Sequence, residues 1–269
     1  MTTLFLLRAF VLRDWRVTTS YRLPFVFDVV GTFFELGLFF FMSRYLDRVG
    51  LSESNVIGGD FFSFVVFGIV LMGFVATSVS SFAQRLRIEQ TTGTLEALFA
   101  SPAPPGLIIL GSAAYDLLEA AAFAVLTVVI AAVLFDLDLD VSAVSVAAGA
   151  AGAVVTIVLF AAVGIAIAGA VVVFKQVGAL IGFATSALAL LGGVYYDVDV
   201  LPGPLQALSA LSPFTWSLQL LRSAFLHAEP RWGLLGLLAG SALVAFPVAL
   251  RIFGAALRRA ERAGSLAQY

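Results

Sequence analysis

The chain has 269 residues, of which 61% are hydrophobic and 12% charged, and its formal net charge at neutral pH is −2. Soluble domains are about half apolar and about a quarter charged, so this excess of apolar residues points to a chain solvated by lipid. The weak net charge gives no basis for nucleic-acid binding. The absence of cysteine excludes disulfides, thiolate metal sites and cysteine nucleophiles, and a single histidine, His227, argues against a metal site.

The first predicted element is an amphipathic helix over about 4–16, within an interfacial segment at 1–22. At 100° per residue one face is apolar and the opposite face is basic. The apolar face holds Leu4, Leu7, Phe10, Val11 and Trp15, and the basic face holds Arg8, Arg13 and Arg16. Asp14 falls on the apolar face and interrupts it. The pattern is typical of a helix in the headgroup plane of a membrane, and the alternative is the start of the first span.

Six apolar stretches follow, each close to or longer than the roughly 20 residues that a spanning helix needs. They cover about 24–43, 58–83, 106–134, 143–174, 177–194 and 232–253. The fourth and fifth are separated by Lys175 and Gln176, a charge and an amide. Gly178 and Gly182 permit close approach of another helix, which we interpret as packing within the chain, with a seam between two copies as the alternative. The sequence therefore predicts an all-α polytopic membrane protein with six spans.

The lysine and arginine residues predict the orientation, because short cytoplasmic loops carry an excess of them. With the amino terminus inside, eleven of the 15 basic residues fall in cytoplasmic segments and four in external ones. Two cytoplasmic termini require an even number of crossings, which agrees with six. We therefore predict that both termini are cytoplasmic.

A short helix at about 94–101 is predicted between the second and third spans. Thr94 is a suitable N-cap, and Glu96 in the first turn suits the helix dipole. Leu95, Leu98 and Phe99 have the spacing of one apolar face. Prolines at 102, 104 and 105 stop the helix. This polar, helix-containing segment at 85–101 is predicted to lie on the cytoplasmic side.

The segment 195–226, between the fifth and sixth spans, is predicted to form two short external helices. Pro202 and Pro213 prevent one continuous helix. Ser212 and Pro213 read as an N-cap and first helical position, which opens a helix at about 213–226. These helices can re-enter the bilayer where protein covers their free backbone groups.

Acidic residues inside spans are costly and therefore suggest function. Glu35 lies about 16 Å into the first span at 1.5 Å per residue, and Asp28 shares its face. Glu35 is the main candidate for a polar contact in a translocation path; the alternative is a hydrogen bond to a neighbouring helix. Asp116 and Glu119, near the start of the third span, are interpreted as interface or packing residues.

Several of these features together resemble the type-2 permease family of ATP-binding-cassette (ABC) transporters, the six-helix subunits of drug, lipid and polysaccharide exporters. The run RIEQTTGTLEALFASP at 87–102 resembles the coupling segment of that family, although the family more often has charged residues just before Gly93. The run GGVYYDVDVLP at 192–202, followed by Leu-Ser-Pro at 211–213 and Leu-Arg at 221–222, resembles its fifth-helix exit and external re-entrant element. The basic amino-terminal helix matches as well.

The resemblance implies roles for specific residues. An ATPase would dock on the coupling segment, whose candidate residues are Glu89, Gly93, Thr94, Leu95, Glu96 and Leu98. The second and fifth spans would line the path, with Phe74 and Phe183 as the candidates there, beside Glu35 of the first span. Such a path would suit a hydrophobic or amphiphilic substrate. The family resemblance implies a drug, a lipid or a glycan. Pro202 and Pro213 would shape the external element.

The resemblance also implies the partners of the chain. The sequence has no Gly-x-x-x-x-Gly-Lys-Ser/Thr phosphate-binding loop, so ATP and Mg²⁺ would bind to a separate ATPase subunit, present in two copies. A second permease, expected to be another copy of this chain, would complete the complex. The location would be a prokaryotic cell membrane and the direction of transport export.

Two other classes remain open at this point. A proton-coupled secondary transporter could use Glu35, Asp116 or Glu119, although the sequence shows no two-fold repeat of broken helices. A membrane-embedded enzyme is poorly supported by a chain with no cysteine and one histidine.

Overall fold

A computed structural model of the chain describes residues 3–20, 22–49, 61–93, 105–174 and 178–262. Within these ranges the chain forms nine α-helices and one short 3₁₀-helix, with no strand. The predicted all-α class is therefore confirmed. In chain order the helices are α1 Thr3–Ser20, α2 Arg22–Arg48, α3 Phe61–Thr91, α4 Pro105–Leu134, α5 Ala143–Phe174, α6 Gly178–Leu191, the 3₁₀-helix Val198–Val200, α7 Gly203–Ala210, α8 Pro213–Phe225 and α9 Trp232–Arg262.

Five of the described helices are long and apolar enough to cross a membrane, namely α2, α3, α4, α5 and α9. The predicted fifth span corresponds to α6, which has 14 residues. At 1.5 Å per residue α6 is about 21 Å long, shorter than the hydrocarbon core of about 30 Å. The chain is thus a multi-pass membrane protein, and the count of six spans stays a prediction.

Helix α3 continues to Thr91, eight residues beyond the predicted end of the second span at 83. The sequence of this extension, QRLRIEQT, alternates polar side chains with leucine and isoleucine and contains no helix breaker. Leu86 is buried here, whereas Arg87 and Ile88 are exposed. Two residues after Thr91, Gly93 has a left-handed φ of 73°. Glycine adopts this conformation without the steric penalty of a Cβ, so it stops the helix here.

Helices α3 and α5 form the centre of the molecule, and α4, α8 and α9 pack around them. Small residues allow the two central helices to touch. A Cβ added to Gly164 of α5 would lie 2.5 Å from the backbone oxygen of Ser78 on α3. The same helix packs along most of α9, where Gly169 lies against the backbone of Phe253. Close backbone approach at small residues is how membrane helices gain packing contacts in lipid.

The long helices give the molecule two ends. At one end Arg222 of α8 contacts the first turn of α3, and we call this the α8 end. At the opposite end Arg85 contacts Asp14 of α1, and we call this the α1 end. The last turns of α9 also lie at the α1 end, because Ala260 shares a buried cluster with Leu86. The described amino-terminal helix and the carboxyl-terminal part of α9 therefore lie at the same end.

Helix α2 is attached to the rest of the bundle mainly by its second half. Phe40 packs edge-on against Phe62 of α3 at 5.6 Å between ring centroids, and Phe39 stacks on Tyr195 at 5.5 Å. The first half is largely exposed, including Phe25 and Phe27. Helix α2 thus stands away from α3 and α4 towards the α1 end.

Candidate functional site

A cavity of about 1570 Å³ fills the space that α2 leaves open. Its walls come from α1, α2, α3 and α4. The lining is largely apolar, with aromatic side chains from each of the four helices: Trp15, Phe25, Phe27, Phe74, Tyr115 and Phe123. Pockets for drug-sized ligands usually measure about 300–1,000 Å³, so this cavity can hold a large organic molecule.

The cavity brings together most of the acidic residues that the sequence places in spans. Glu35 and Asp28 line it from α2, and Asp116 and Glu119 line it from α4. The carboxylates of Asp28 and Glu119 interact electrostatically across the gap between their helices. Asp116 and Glu119, which the sequence suggested as interface or packing residues, therefore also lie on the cavity wall. Sequence spacing could not reveal this position, because spacing does not indicate which faces of α2 and α4 meet.

Two of the three predicted path residues lie on this cavity. Glu35 and Phe74 both line it. The charge of Glu35 also acts on Tyr195, since burial and then Glu35 raise the pKa of the Tyr195 hydroxyl. Phe183 is not part of the lining, because it lies on α6 with 75% of its surface exposed. Its predicted role in the path is not supported within a single copy of the chain.

An ion-pair network lies at the α1 end of the cavity. Arg85 of α3 holds Asp116 of α4 through two parallel hydrogen bonds, one of them 2.9 Å from Nε to Oδ2. Its Nη1 lies 3.4 Å from Oδ2 of Asp14 on α1. Asp14 is only 4% exposed. A bidentate arginine–carboxylate pair is strong and directional, so Arg85 fixes α1, α3 and α4 relative to one another.

This network was not predicted, although the sequence contains one signal of its presence. Asp14 interrupts the apolar face of the amino-terminal helix, and a buried acid requires a cationic partner. That partner, Arg85, lies far along the chain on α3. Around it α1 packs tightly on α4, since Phe10 lies against Gly111, where a Cβ would be 2.6 Å away, and Trp15 contacts Tyr115 edge-on. The described part of the amino-terminal helix is therefore seated on the bundle.

The same network extends to the start of the predicted coupling segment. Arg13 of α1 contacts Asp14 at 2.8 Å and Glu89 of α3 at 3.7 Å. Glu89 is one turn before Gly93, which follows the end of α3 at Thr91. The remaining predicted coupling residues, Thr94, Leu95, Glu96 and Leu98, lie outside the described residues. The last turn of α3, which leads into that segment, is thus joined electrostatically to α1.

At the α8 end the predicted short helices are present. Pro202 precedes α7 and Pro213 is the first residue of α8, after Ser212 as N-cap. Helix α8 is held by Arg222, which donates hydrogen bonds to the backbone oxygens of Phe64 and Gly193. Its guanidinium also lies over the Phe64 ring, 3.4 Å from the centroid. Burial lowers the pKa of Arg222 to about 9, so the group is still charged at neutral pH.

Among the described residues no group of three or more His, Asp or Glu side chains is arranged to hold a metal ion.

Comparison with known proteins agrees with the resemblance seen in the sequence. No curated protein matches the chain. A sequence model of the ABC-2 type transporter family matches residues 2–226, from the amino-terminal helix to the residue after α8. The match includes α1, the coupling segment and every helix that lines the cavity. Because it covers most of the 269 residues, the chain belongs to the ABC-2 type transporter family and is a membrane subunit of an ABC transport system.

Proposed function

We propose that this chain forms the translocation path of an ABC exporter for a hydrophobic or amphiphilic substrate, and that a separate ATPase subunit drives it. Family membership implies the association with an ABC ATPase. The direction of transport, the substrate and the way in which the ATPase acts are the proposal. In it the α1 end faces the cytoplasm of a prokaryotic cell, as the distribution of basic residues predicts.

The observation that carries the proposal is the continuity between the end of α3 and the cavity. Glu89 contacts Arg13, while Arg85, one turn earlier, contacts Asp14 and Asp116. A displacement of the segment after Gly93 would therefore act on α1 and α4 as well as on α3. These three helices line the cavity together with α2. A motor that moves the coupling segment could thus reshape the substrate path.

The residues of the coupling segment fit this role. Gly93 ends α3 with a left-handed φ, and nothing lies within 4 Å of the position where its Cβ would be. The chain can therefore change direction here without a packing obstacle. Glu96 in the next turn, beyond the described residues, would pair with a basic group of the ATPase. ATP and Mg²⁺ would bind to the ATPase subunits, of which two would be present.

We further propose that two copies of this chain form the permease. Helix α6 has no buried side chain among its described residues. Nothing lies within 4 Å of the Cβ position of Gly178 or Gly182, so these glycines do not serve packing within the described part of the chain. The interpretation of this motif as intramolecular packing is wrong for those residues. A second copy could approach α6 closely at both glycines. Phe183 would then lie in that interface.

The proposal is tested by isolating the solubilised chain and assaying it for a bound nucleotide-binding subunit whose ATP hydrolysis is stimulated by substrate. Gly93→Pro removes the backbone N–H and the left-handed φ, and Glu96→Lys reverses a charge at the docking face. Both variants should insert into the membrane but lose transport while basal ATP hydrolysis continues. Glu229→Lys, at an exposed position near the α8 end, serves as control and should transport normally. Normal transport by both coupling variants would refute the role of this segment.

A proton-coupled secondary transporter is the second candidate, favoured by one observation. Glu35 and Glu119 line the cavity and lack an ion-pair partner within 4 Å in the described part of the chain. Such carboxylates can carry protons. Vanadate should stop transport if an ATPase drives it, whereas a proton ionophore should stop it if Glu35 or Glu119 carries protons.

A further inference from the structure

The charges on the cavity wall are unbalanced, and we propose that the cavity binds an amphiphilic organic cation, with Glu119 and Glu35 facing its charge. This inference rests on the proposed transport function and specifies its substrate class. The lining contains four carboxylates, Asp28, Glu35, Asp116 and Glu119, and two guanidinium groups, Arg22 and Arg85. It therefore carries an excess of two negative charges when all of these groups are ionised.

The basic groups do not cancel this excess. Arg85 is shared by Asp14 and Asp116, so its charge is already matched by two carboxylates. Arg22 is on the first turn of α2 and has no ion pair within 4 Å in the part of the chain that the structure describes. Asp28, Glu35 and Glu119 likewise have none. The uncompensated negative charge thus faces the cavity from α2 and α4.

Among the cavity carboxylates, Glu119 gives the most specific indication of the charge of the ligand. The Glu119 carboxylate interacts unfavourably with Asp116 on the same helix and with Asp28 across the cavity, whereas Arg85 and the Tyr115 hydroxyl favour its charge. Like charges that face each other in a medium of low dielectric constant raise the free energy of the protein. A cation placed between α2 and α4 would attract these carboxylates and so offset their mutual repulsion. An anion would add to the repulsion.

A second and independent observation points to a ligand at the same place. Ser81 of α3 lines the cavity, is only 3% exposed, and its hydroxyl has no hydrogen-bond partner among the described residues. A buried hydroxyl without a partner costs free energy. A ligand that carries a hydrogen-bonding group would satisfy it from the cavity side.

The remaining lining indicates what kind of cation fits. A small metal ion is disfavoured, because the described residues contain no acidic cluster with metal-binding geometry. Aromatic rings attract organic cations through their faces, and Phe74, Phe123 and Trp15 line the wall. The volume of about 1570 Å³ exceeds that of a single charged headgroup. These features together favour a cation attached to a large apolar body.

Binding without nucleotide tests the inference separately from the proposed function. The full chain, in lipid nanodiscs, is titrated with tetraphenylphosphonium and with tetraphenylborate, a cation and an anion of nearly the same shape, and empty nanodiscs measure partition into lipid. We expect saturable binding of the cation only. The double variant Glu35→Gln and Glu119→Gln should bind it at least about tenfold more weakly, because two attractive charges are lost. Glu229→Gln, outside the cavity, should bind as the unmodified chain does.

Charge inversion gives a second measurement that does not depend on weakened binding. Glu119→Lys should lower the affinity for tetraphenylphosphonium and raise that for tetraphenylborate. Equal binding of the two ions by the unmodified chain, or a preference that the Gln and Lys variants leave unchanged, would overturn the inference. Cation binding that depends on Glu119 in a chain that recruits no ATPase would uphold the site and contradict the exporter proposal alone.

Discussion

Arg85 connects more of the candidate site than any other described side chain. It lies on α3, pairs with Asp14 of α1 and Asp116 of α4, and forms part of the cavity wall. The exposed fraction of its side chain is 24%, and those of Asp14 and Asp116 are 6% and 19%. Solvent therefore screens this network only partly. Removal of the guanidinium would leave Asp116 without a cation and Asp14 with Arg13 alone.

Arg85→Gln is expected to lower the free energy of unfolding by about 3 kcal/mol, near the lower limit for breaking a buried ion pair. The measurement is thermal unfolding of the detergent-solubilised chain. Arg87→Gln, two residues away on the same helix, is the matched control, because Arg87 is exposed. Its unfolding temperature should change little.

The double variant Asp14→Asn and Arg85→Gln measures the interaction energy between these two side chains. If the two side chains interact, the double variant should lose less stability than the sum of the single variants. Additive losses, or equal effects of Arg85→Gln and Arg87→Gln, would show that the contact with Asp14 does not stabilise α1 on the bundle.

Helix α3 is the element on which the account depends most. Its first turn is held at the α8 end by Arg222, and its last turns carry Arg85, Glu89 and the stop at Gly93. Along its middle it packs on α5 at Gly164. Contacts at several levels along α3 would suit the proposed transmission of force from one end of the helix to the other.

The α3–α5 contact gives a prediction at the scale of the element. Gly164→Ala places a methyl group 2.5 Å from the backbone oxygen of Ser78, so the two helices must separate, and we expect a loss of about 1–3 kcal/mol as for other overpacked contacts. Gly182→Ala is the matched control. That site is also helical but has nothing within 4 Å, so alanine should be neutral or stabilise the helix by about 1 kcal/mol.

Both variants are compared by thermal unfolding of the solubilised protein. A Gly164→Ala variant as stable as the Gly182→Ala variant would contradict the close approach of α3 and α5. Loss of self-association in the Gly182→Ala variant, with stability retained, would instead support the proposed seam between two copies.

The elements were largely predictable from the sequence, and their contacts were not. Long apolar runs predicted the spanning helices, and Ser212 with Pro213 predicted the start of α8 correctly, because both signals act within one helix or turn. The extension of α3 beyond residue 83 was missed, since a polar stretch after an apolar run resembles a loop. The termination of α3 before Gly93 depends only on the local backbone conformation at that glycine.

Most of the site lay beyond sequence reasoning for a physical reason. A helix in lipid can be apolar on every side, so its hydrophobic pattern does not indicate which face packs inside the protein. The cavity depends on the angle at which α2 leaves α3 and α4, and the Arg85–Asp116 pair joins residues that are 31 positions apart. Glu35 was recognisable because a carboxylate in a span is costly wherever it points.

In the molecule as a whole, the described part of the chain has two structurally distinct ends. The α1 end gathers the amino-terminal helix, the end of α3 and the end of α9, whereas the α8 end carries α7, α8 and Arg222. The cavity lies between α1 and the aromatic contacts that hold the second half of α2. This arrangement matches a membrane subunit that receives force at one end and handles substrate beside it.

The central claim is that the segment after Gly93 faces the cytoplasm and is held by an ATPase. The chain contains no cysteine, so a single cysteine introduced at Glu96 provides a unique reactive site, and one at Glu229 provides its counterpart at the other end. In inverted membrane vesicles that contain the complete transporter, a short thiol-reactive crosslinker at position 96 should join the chain to the ATPase subunit, and one at position 229 should not. Reaction of position 96 only from the outside of intact cells, or no ATPase product from it, would contradict the account.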